Sequence, residues 1–303
     1  MSKNILKGVV LVGIGAASYG MLATFVKVSY NQGFTTAEVT ASQIIIGLIG
    51  MYLINLFNKK KRNIKQHVPT SKNKLNLIVG GTAMGFTSVF YYLAVLYIPV
   101  SIGIVLLMQT VWMGVVLEAL MTRRFPESKK IIAVIIVLTG TILATNLLNN
   151  NDTPDWRGII LGLLAAASFT ATMFVSNRVA TQLTASQRGL FMLMGASVVV
   201  LSFAVYSWNG SFNFDIFYKW GLFLAIFGTI IPPLLLNAGF PYTGIGLGSI
   251  ISSLELPESV TMAFLVLNEK VTTLQWLGIF LILFAVVMMN LKYINTTGAI
   301  KKG

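Results

Sequence analysis

The sequence predicts an all-α integral membrane protein of ten transmembrane helices, arranged as two inverted five-helix repeats. Three observations predict it. Long charge-free apolar runs recur along the chain, the basic residues gather in alternate connections between those runs, and the second half repeats the first at a nearly constant offset. Of the 303 residues, 55% are apolar and only 10% charged, and the mean hydropathy is +0.79. A soluble domain carries about 25% charged residues, so this chain cannot cover a water-facing surface.

A membrane-spanning helix needs about 20 apolar residues. Runs of that kind lie at Gly8–Val26, Val39–Asn58, Ile131–Asn151, Gly158–Asn177, Gly189–Phe214 and Val271–Leu291. Two longer runs each read as a helical pair. Leu75–Leu117 breaks at Tyr97-Ile98-Pro99-Val100-Ser101, and Trp220–Leu254 at Gly239-Phe240-Pro241-Tyr242, because proline ends the helix before it. The expected spans lie near 5–28, 37–57, 75–97, 100–121, 129–148, 157–177, 187–208, 219–240, 245–267 and 272–291.

The excess of 22 basic over 9 acidic residues gives a net charge of +13. The charges are strung between apolar runs, which points to lipid headgroups and not to nucleic acid. With the N-terminus inside, Lys3, Lys7, the run Lys59 to Lys74, Arg123, Arg124, Lys129, Lys130, Arg178, Arg188, Lys292, Lys301 and Lys302 are cytoplasmic. These make 18 of the 22 basic residues and leave Lys27, Arg157, Lys219 and Lys270 outside, as the positive-inside rule requires. Trp156, Trp208, Trp220 and Trp276 fall at the expected outer ends, where an aromatic belt sits. Both termini are therefore expected in the cytoplasm, with the chain a multi-pass protein of the cell (inner) membrane. Cysteine is absent and the one histidine, His67, lies in a basic loop. Disulfides are excluded, and no His/Cys metal cluster or cofactor is implied. No Gly-rich loop ending in Lys-Ser/Thr is present to hold a nucleotide.

Shifting the chain by about 146 to 150 residues superposes its halves: Lys7-Gly8-Val9-Val10-Leu11 on Arg157-Gly158-Ile159-Ile160-Leu161, Ala17-Ser18-Tyr19 on Ala167-Ser168-Phe169, and Thr36-Ala37 with Gly47 on Thr184-Ala185 with Gly195. The fourth span then lies over the ninth, placing Gln109 on Glu255 and Trp112 on Glu258. This divides the chain into a first repeat over 1–148, a second over 157–292 and a cytoplasmic tail over 293–303. A five-helix unit is odd, so its second copy enters from the opposite side, and inverted repeats are a common build of secondary transporters. The first span also has the look of a secretory signal, but the reappearance of the same segment in mid-chain speaks against one.

Over nearly its whole length the chain resembles the drug/metabolite transporter superfamily, in particular its EamA-type members with two five-helix repeats. The resemblance is most specific at Ser249-Ile250-Ile251-Ser252-Ser253-Leu254-Glu255-Leu256-Pro257 and at Leu267-Asn268-Glu269-Lys270-Val271-Thr272 with Gln275-Trp276-Leu277-Gly278. The first half departs from the pattern, with Gln109 where an acid often sits and Arg123 in place of the acid at the exit turn. The resemblance implies transport of amino acids, related metabolites, sugars or drugs, and names no substrate.

Charges near the middle of a span are expensive and point to function. Glu255 and Glu258 lie mid-way along the ninth span at i, i+3 on one face, with Pro257 between them expected to kink the helix and free a carbonyl. Two carboxylates this close and desolvated do not easily both ionise, which suits a proton relay or a cation site. Glu118, near Arg123, reads as half of a structural ion pair. Trp112 is either lipid-facing or a cavity wall, and Tyr19, Tyr91, Tyr92, Asn177 and Asn237 are further cavity candidates that could equally bond a neighbouring helix. Pro232 and Pro233 remove two donors and bend the eighth span, as a static kink or a moving gate. Gly81/Gly85, Gly158/Gly162 and Gly244/Gly248 form small-residue faces for close packing. The expected activity is alternating-access export of small polar, amino-acid-like metabolites, with protons as coupling ions and lipid as the surrounding partner. Translocation of a lipid-linked or amphipathic substrate is the alternative. A membrane-embedded enzyme would need more convergent acids or histidines than Glu255 and Glu258.

Overall fold

The computed structural model describes residues 2–61, 68–94, 96–98, 100–145, 155–208, 210–268 and 270–299, and all regular structure in them is helical. In chain order the helices are α1 (Ser2–Asn31), α2 (Thr36–Lys61), α3 (Ser71–Ala94), α4 (Val100–Leu107), α5 (Thr110–Thr122), α6 (Ser128–Ala144), α7 (Trp156–Arg178) and α8 (Ala185–Tyr206). They are followed by α9 (Leu222–Ala225) between wide π-helical turns at Phe217–Gly221 and Ile226–Ile230, then α10 (Ile231–Ser252), α11 (Glu255–Leu267) and α12 (Thr273–Ala299). Among the described residues, seven helical stretches are long and apolar enough to cross a membrane. The chain is a multi-pass membrane protein.

One of those stretches, Phe217–Leu267, holds 51 residues. Straight, at about 1.5 Å per residue, it would be roughly twice as long as the hydrocarbon core is thick. It instead turns inside α10 at Gly244, with φ 75° and ψ 176°, a combination open essentially to glycine alone. This corrects the break expected at Gly239–Tyr242, through which the helix continues. Pro241 has no N–H for the Asn237 carbonyl four residues back, but Arg188 Nη1 donates to that carbonyl at 2.7 Å. The Phe240 carbonyl, left by the turn, accepts from Asn177 Nδ2 at 2.5 Å. The two side chains supply the missing donors, so the helix outlasts its proline.

Arg188 is 1% exposed. Beyond Asn237 its guanidinium donates to the carbonyls of Val179 and Val175 at 3.1 and 3.3 Å and to that of Ser176, so it closes the end of α7. It is a buried packing centre, and not one of the water-facing cations among which the charge distribution placed it. Glu118 pairs with Lys130 across the α5–α6 turn, in place of the expected Arg123, which caps α5 in the left-handed region at φ 53°. His67, Pro99 and Glu269 lie outside the described residues.

Contacts mark two ends of the bundle: at one, beside the α1–α2 turn, Trp220 Nε1 donates to Gln32 Oε1 and Asn213 N to Glu38 Oε1; at the other, near the N-terminus, Gly8 seats against Gly239 and Tyr242. Helix α1 packs on α10 and α11, and α7 on α3, α4 and α5; α2 packs on α8, α5 on α10 and α6 on α12. Gly81 and Gly85 of α3 seat against Met192 and Ala196 of α8, and Gly158 and Gly162 against Ile98 and Leu106, so these small-residue faces serve packing within the chain. The largest core cluster, with Val12, Val111, Val137, Met173, Phe240, Ile250 and Ala285 among its members, fills the bundle toward the N-terminal end.

Two helices are broken in the same way. α4 ends at Leu107 and α5 runs from Thr110 to Thr122, while the last part of α10 ends at Ser252 and α11 runs from Glu255 to Leu267. Each boundary is repeated 145 residues later, down to the left-handed caps Arg123 and Asn268. The residue before each restart also has the same backbone, φ/ψ −59°/−18° at Gln109 and −59°/−19° at Leu254. The expected register is therefore off by one: Gln109 falls on Leu254, Thr110 on Glu255, and Met113, not Trp112, on Glu258.

Candidate functional site

A cavity of about 620 Å³ enters the bundle from the α1–α2 end, where Lys27, Lys270 and Gln275 line it, and reaches down to Phe169 and Glu255. Its volume lies within the range of small-molecule sites, which are mostly apolar with a few placed polar groups. Helix α3 supplies one whole wall with Met84, Thr87, Ser88, Tyr91 and Tyr92, a spacing that puts all five on a single helical face. Helix α1 contributes Tyr19 and Tyr30, α2 Thr40 and Gln43, and α11 Glu255, Ser259 and Ala263.

The depth of the cavity is set by the second helix break. The turn at Ser253–Leu254 interrupts the helix, and Glu255 opens α11. Pro257 is buried in the first turn of α11, where a missing N–H costs little. It marks the restart and does not kink the helix in mid-run. The Ser253 carbonyl that its ring deprives of a donor accepts from Leu256 N at 3.2 Å, so the expected free carbonyl is not there. Close approach of α1 holds the break in place: a Cβ on Gly20 would run into the Glu255 carbonyl and the Glu258 side chain.

Glu255 is the one acid among the described residues that line the cavity. Among the described residues its carboxylate forms no ion pair and no hydrogen bond. Tyr19 and Tyr91 lie within electrostatic reach of it. Tyr19 meets Phe169 edge-on at 6.4 Å, and Tyr91 meets Tyr92 edge-on at 6.1 Å, so aromatic rings form the sides of the pocket around the acid. The Oγ1 of Thr24, a buried lining residue, has no hydrogen-bond partner among the described residues.

The structure thus brings Glu255, Tyr19, Tyr91 and Tyr92 together and leaves the other candidates apart. Glu258 packs against α1 at Gly20 and is not among the lining residues. Gln109 and Trp112 bond each other, Trp112 Nε1 donating to Gln109 Oε1 at 2.8 Å, while Gln109 Nε2 donates to the Val105 carbonyl at 3.0 Å. Trp112 is 36% exposed and is not among the residues that line the cavity. Asn237 is buried in α10, its Nδ2 on the Pro233 carbonyl at 2.8 Å. Pro232 and Pro233 occupy the first turn of α10, directly after the π-helical turn at Ile226–Ile230, so the irregular backbone precedes them. The polar residues Thr24, Gln43, Thr87 and Ser88 were not singled out from the sequence, although the i, i+3, i+4, i+7, i+8 spacing in α3 is readable there.

The model of the EamA-like transporter family matches residues 6–146 and again 156–291. Twenty-nine chains of known structure match the chain. One of them, described only as "Crystal structure of protein", superposes with a TM-score of 0.75 over 91% of this chain and 97% of its own, at 12% sequence identity. At that identity the likeness speaks for the fold alone. No curated protein matches the chain.

Proposed function

The chain belongs to the EamA-like transporter family, and on that premise we propose that it is a secondary transporter of small polar metabolites, working by alternating access around Glu255. The observation that carries this reading is the cavity itself: it runs from Lys27 and Lys270 to Phe169 of the core cluster, and at the helix break it holds a carboxylate with no partner among the described residues. A charge held there without a partner is costly unless a proton or a cationic substrate meets it in turn. That exchange is the basis of coupling.

Ten crossings, as two inverted repeats over 1–148 and 157–292 with a tail over 293–303, are part of the proposal. The matched breaks support it, as does the pairing of α2 with α8 and of α6 with α12, each the counterpart of its partner, and the crossing of the two broken helices where α5 packs on α10. Two cation–π contacts support opposite entry. Lys7 lies over Tyr242 at 5.8 Å and Arg157 over Tyr97 at 5.9 Å, the same pair in both halves but at opposite ends of the bundle. The distribution of Lys and Arg supports cytoplasmic termini in the cell membrane, which puts the cavity mouth outside. Single cysteines at Lys129 and Phe214 test this: an impermeant thiol reagent added to intact cells should label only position 214.

Counterflow in proteoliposomes tests the function. Vesicles loaded with unlabelled amines and amino acids should accumulate the labelled form of the transported compound, with the rate changing under an imposed pH gradient. Absence of counterflow for the whole panel would defeat the reading.

A further inference from the structure

The cavity's charges and rings say more about the substrate than that it is small and polar. We propose that the site takes an organic cation, an ammonium group on an apolar body, and discriminates against zwitterionic amino acids; this rests on reading the cavity as the transport site. Four features of the structure point the same way.

The floor carries a single carboxylate, Glu255, without an ion-pair partner among the described residues. Tyr19, Tyr91 and Tyr92 line the cavity around it, and the faces of such rings attract ammonium ions, most strongly where water is excluded. Met84, Leu107, Met108 and Phe169 add apolar wall, which fits a hydrocarbon body, and the polar lining residues there, Gln43, Thr87, Ser88 and Ser259, are uncharged, so a second ionic group would find no counter-charge.

The cations are in the wrong place for a zwitterion. The lysines that line the cavity are Lys27 and Lys270. Lys270 lies beyond the far end of α11, a helix about 20 Å long from Glu255 onward. Lys27 is two turns above Tyr19 on α1. In an α-amino acid the ammonium and the carboxylate are separated by one carbon. With the ammonium on Glu255, the carboxylate would sit beside the tyrosines and beside Glu255 itself, with no cation to meet it. The buried Arg188 cannot serve, since its guanidinium is spent on four carbonyls around the end of α7.

Calorimetric titration of the detergent-purified protein with phenethylamine, phenylalanine and hydrocinnamate tests the assignment, because the three share a phenyl ring and differ in charge. Phenethylamine should bind at least about tenfold more tightly than phenylalanine, an energy gap of roughly one unpaired ionic group, and hydrocinnamate should give no heat. Glu255→Gln should weaken phenethylamine by about tenfold or more, and Tyr91→Leu by about threefold. Phenylalanine binding as tightly as the amine, a signal from hydrocinnamate, or no binding by any of the three overturns the assignment, and all three outcomes are read on the unmodified protein. Phenethylamine binding without counterflow in proteoliposomes would instead overturn the transport reading and leave the assignment standing. Counterflow of phenylalanine that phenethylamine does not inhibit would do the reverse.

Discussion

Helix α4–α5 in the first half and the broken helix of residues 245–267 in the second have one backbone and two chemistries. They break at the same place, restart with the same dihedral angles and end in the same left-handed cap. At the restart of the first stands Thr110, 1% exposed, whose hydroxyl shares a 2.8 Å hydrogen bond with Thr170 of α7. At the restart of the second stands Glu255, which faces the cavity beside Tyr19 of α1. The backbone repeat gives the molecule two equivalent restarts, and side chains decide that only the second carries a charge and lines the cavity. In the proposed alternating-access cycle a single titratable group at one of the two restarts would serve both states of the cavity. Two would repel each other.

The turn leading into each broken helix differs as well, and the difference predicts the largest effect on stability. In the first half the Ala94 carbonyl is met by the backbone N–H groups of Tyr97 and Ile98 at 2.9 and 3.1 Å. In the second half the helix runs on through Pro241, and Arg188 donates to the Asn237 carbonyl that the proline leaves without an N–H. Arg188→Met should therefore strip donors from four buried carbonyls and cost about 3 kcal/mol or more, read as a lowered midpoint of unfolding in detergent. A variant as stable as the parent would show that the second turn does not depend on Arg188.

Gly244→Ala comes next. The native φ of 75° is unfavourable for alanine and the new Cβ would meet Glu118 Oε1 at 2.9 Å, so a loss of about 1–3 kcal/mol is expected in the same unfolding assay. Thr110→Val should have the smallest effect, about 1 kcal/mol for the lost bond to Thr170, with transport retained. Loss of transport in that variant would mean that the first restart is functional too, and would remove the distinction between the halves.

Apolar runs and proline positions made the order of helices legible in the sequence, because lipid permits few backbone arrangements besides helix. The breaks at Met108–Gln109 and Ser253–Leu254 were not legible, since neither pair holds the glycine or proline that usually marks one. That is why the two helices were aligned one residue out of register. The site was legible in part. An acid in a long apolar run singles out Glu255, and Tyr91 and Tyr92 belong to a stripe that spacing alone reveals. Glu258 shares the acid's composition signal but turns toward α1, and the Gln109–Trp112 pair is satisfied within its own helix, which no composition signal shows. Arg188 escaped for a related reason: counting basic residues assigns each of them to water, while its burial depends on carbonyls that only the folded α7 and α10 provide.

The central claim is that one carboxylate, Glu255, carries the coupling proton or the substrate's charge for both halves. The direct test is counterflow by purified, reconstituted Glu255→Gln across a range of pH, beside the parent protein and Thr110→Val. The glutamine keeps the shape of the side chain and cannot release a proton. The variant is expected to fold, insert and lose pH-dependent transport by about two orders of magnitude, the scale of a lost proton-transfer group, while Thr110→Val keeps it. Full transport with an unchanged pH profile in Glu255→Gln would contradict the claim.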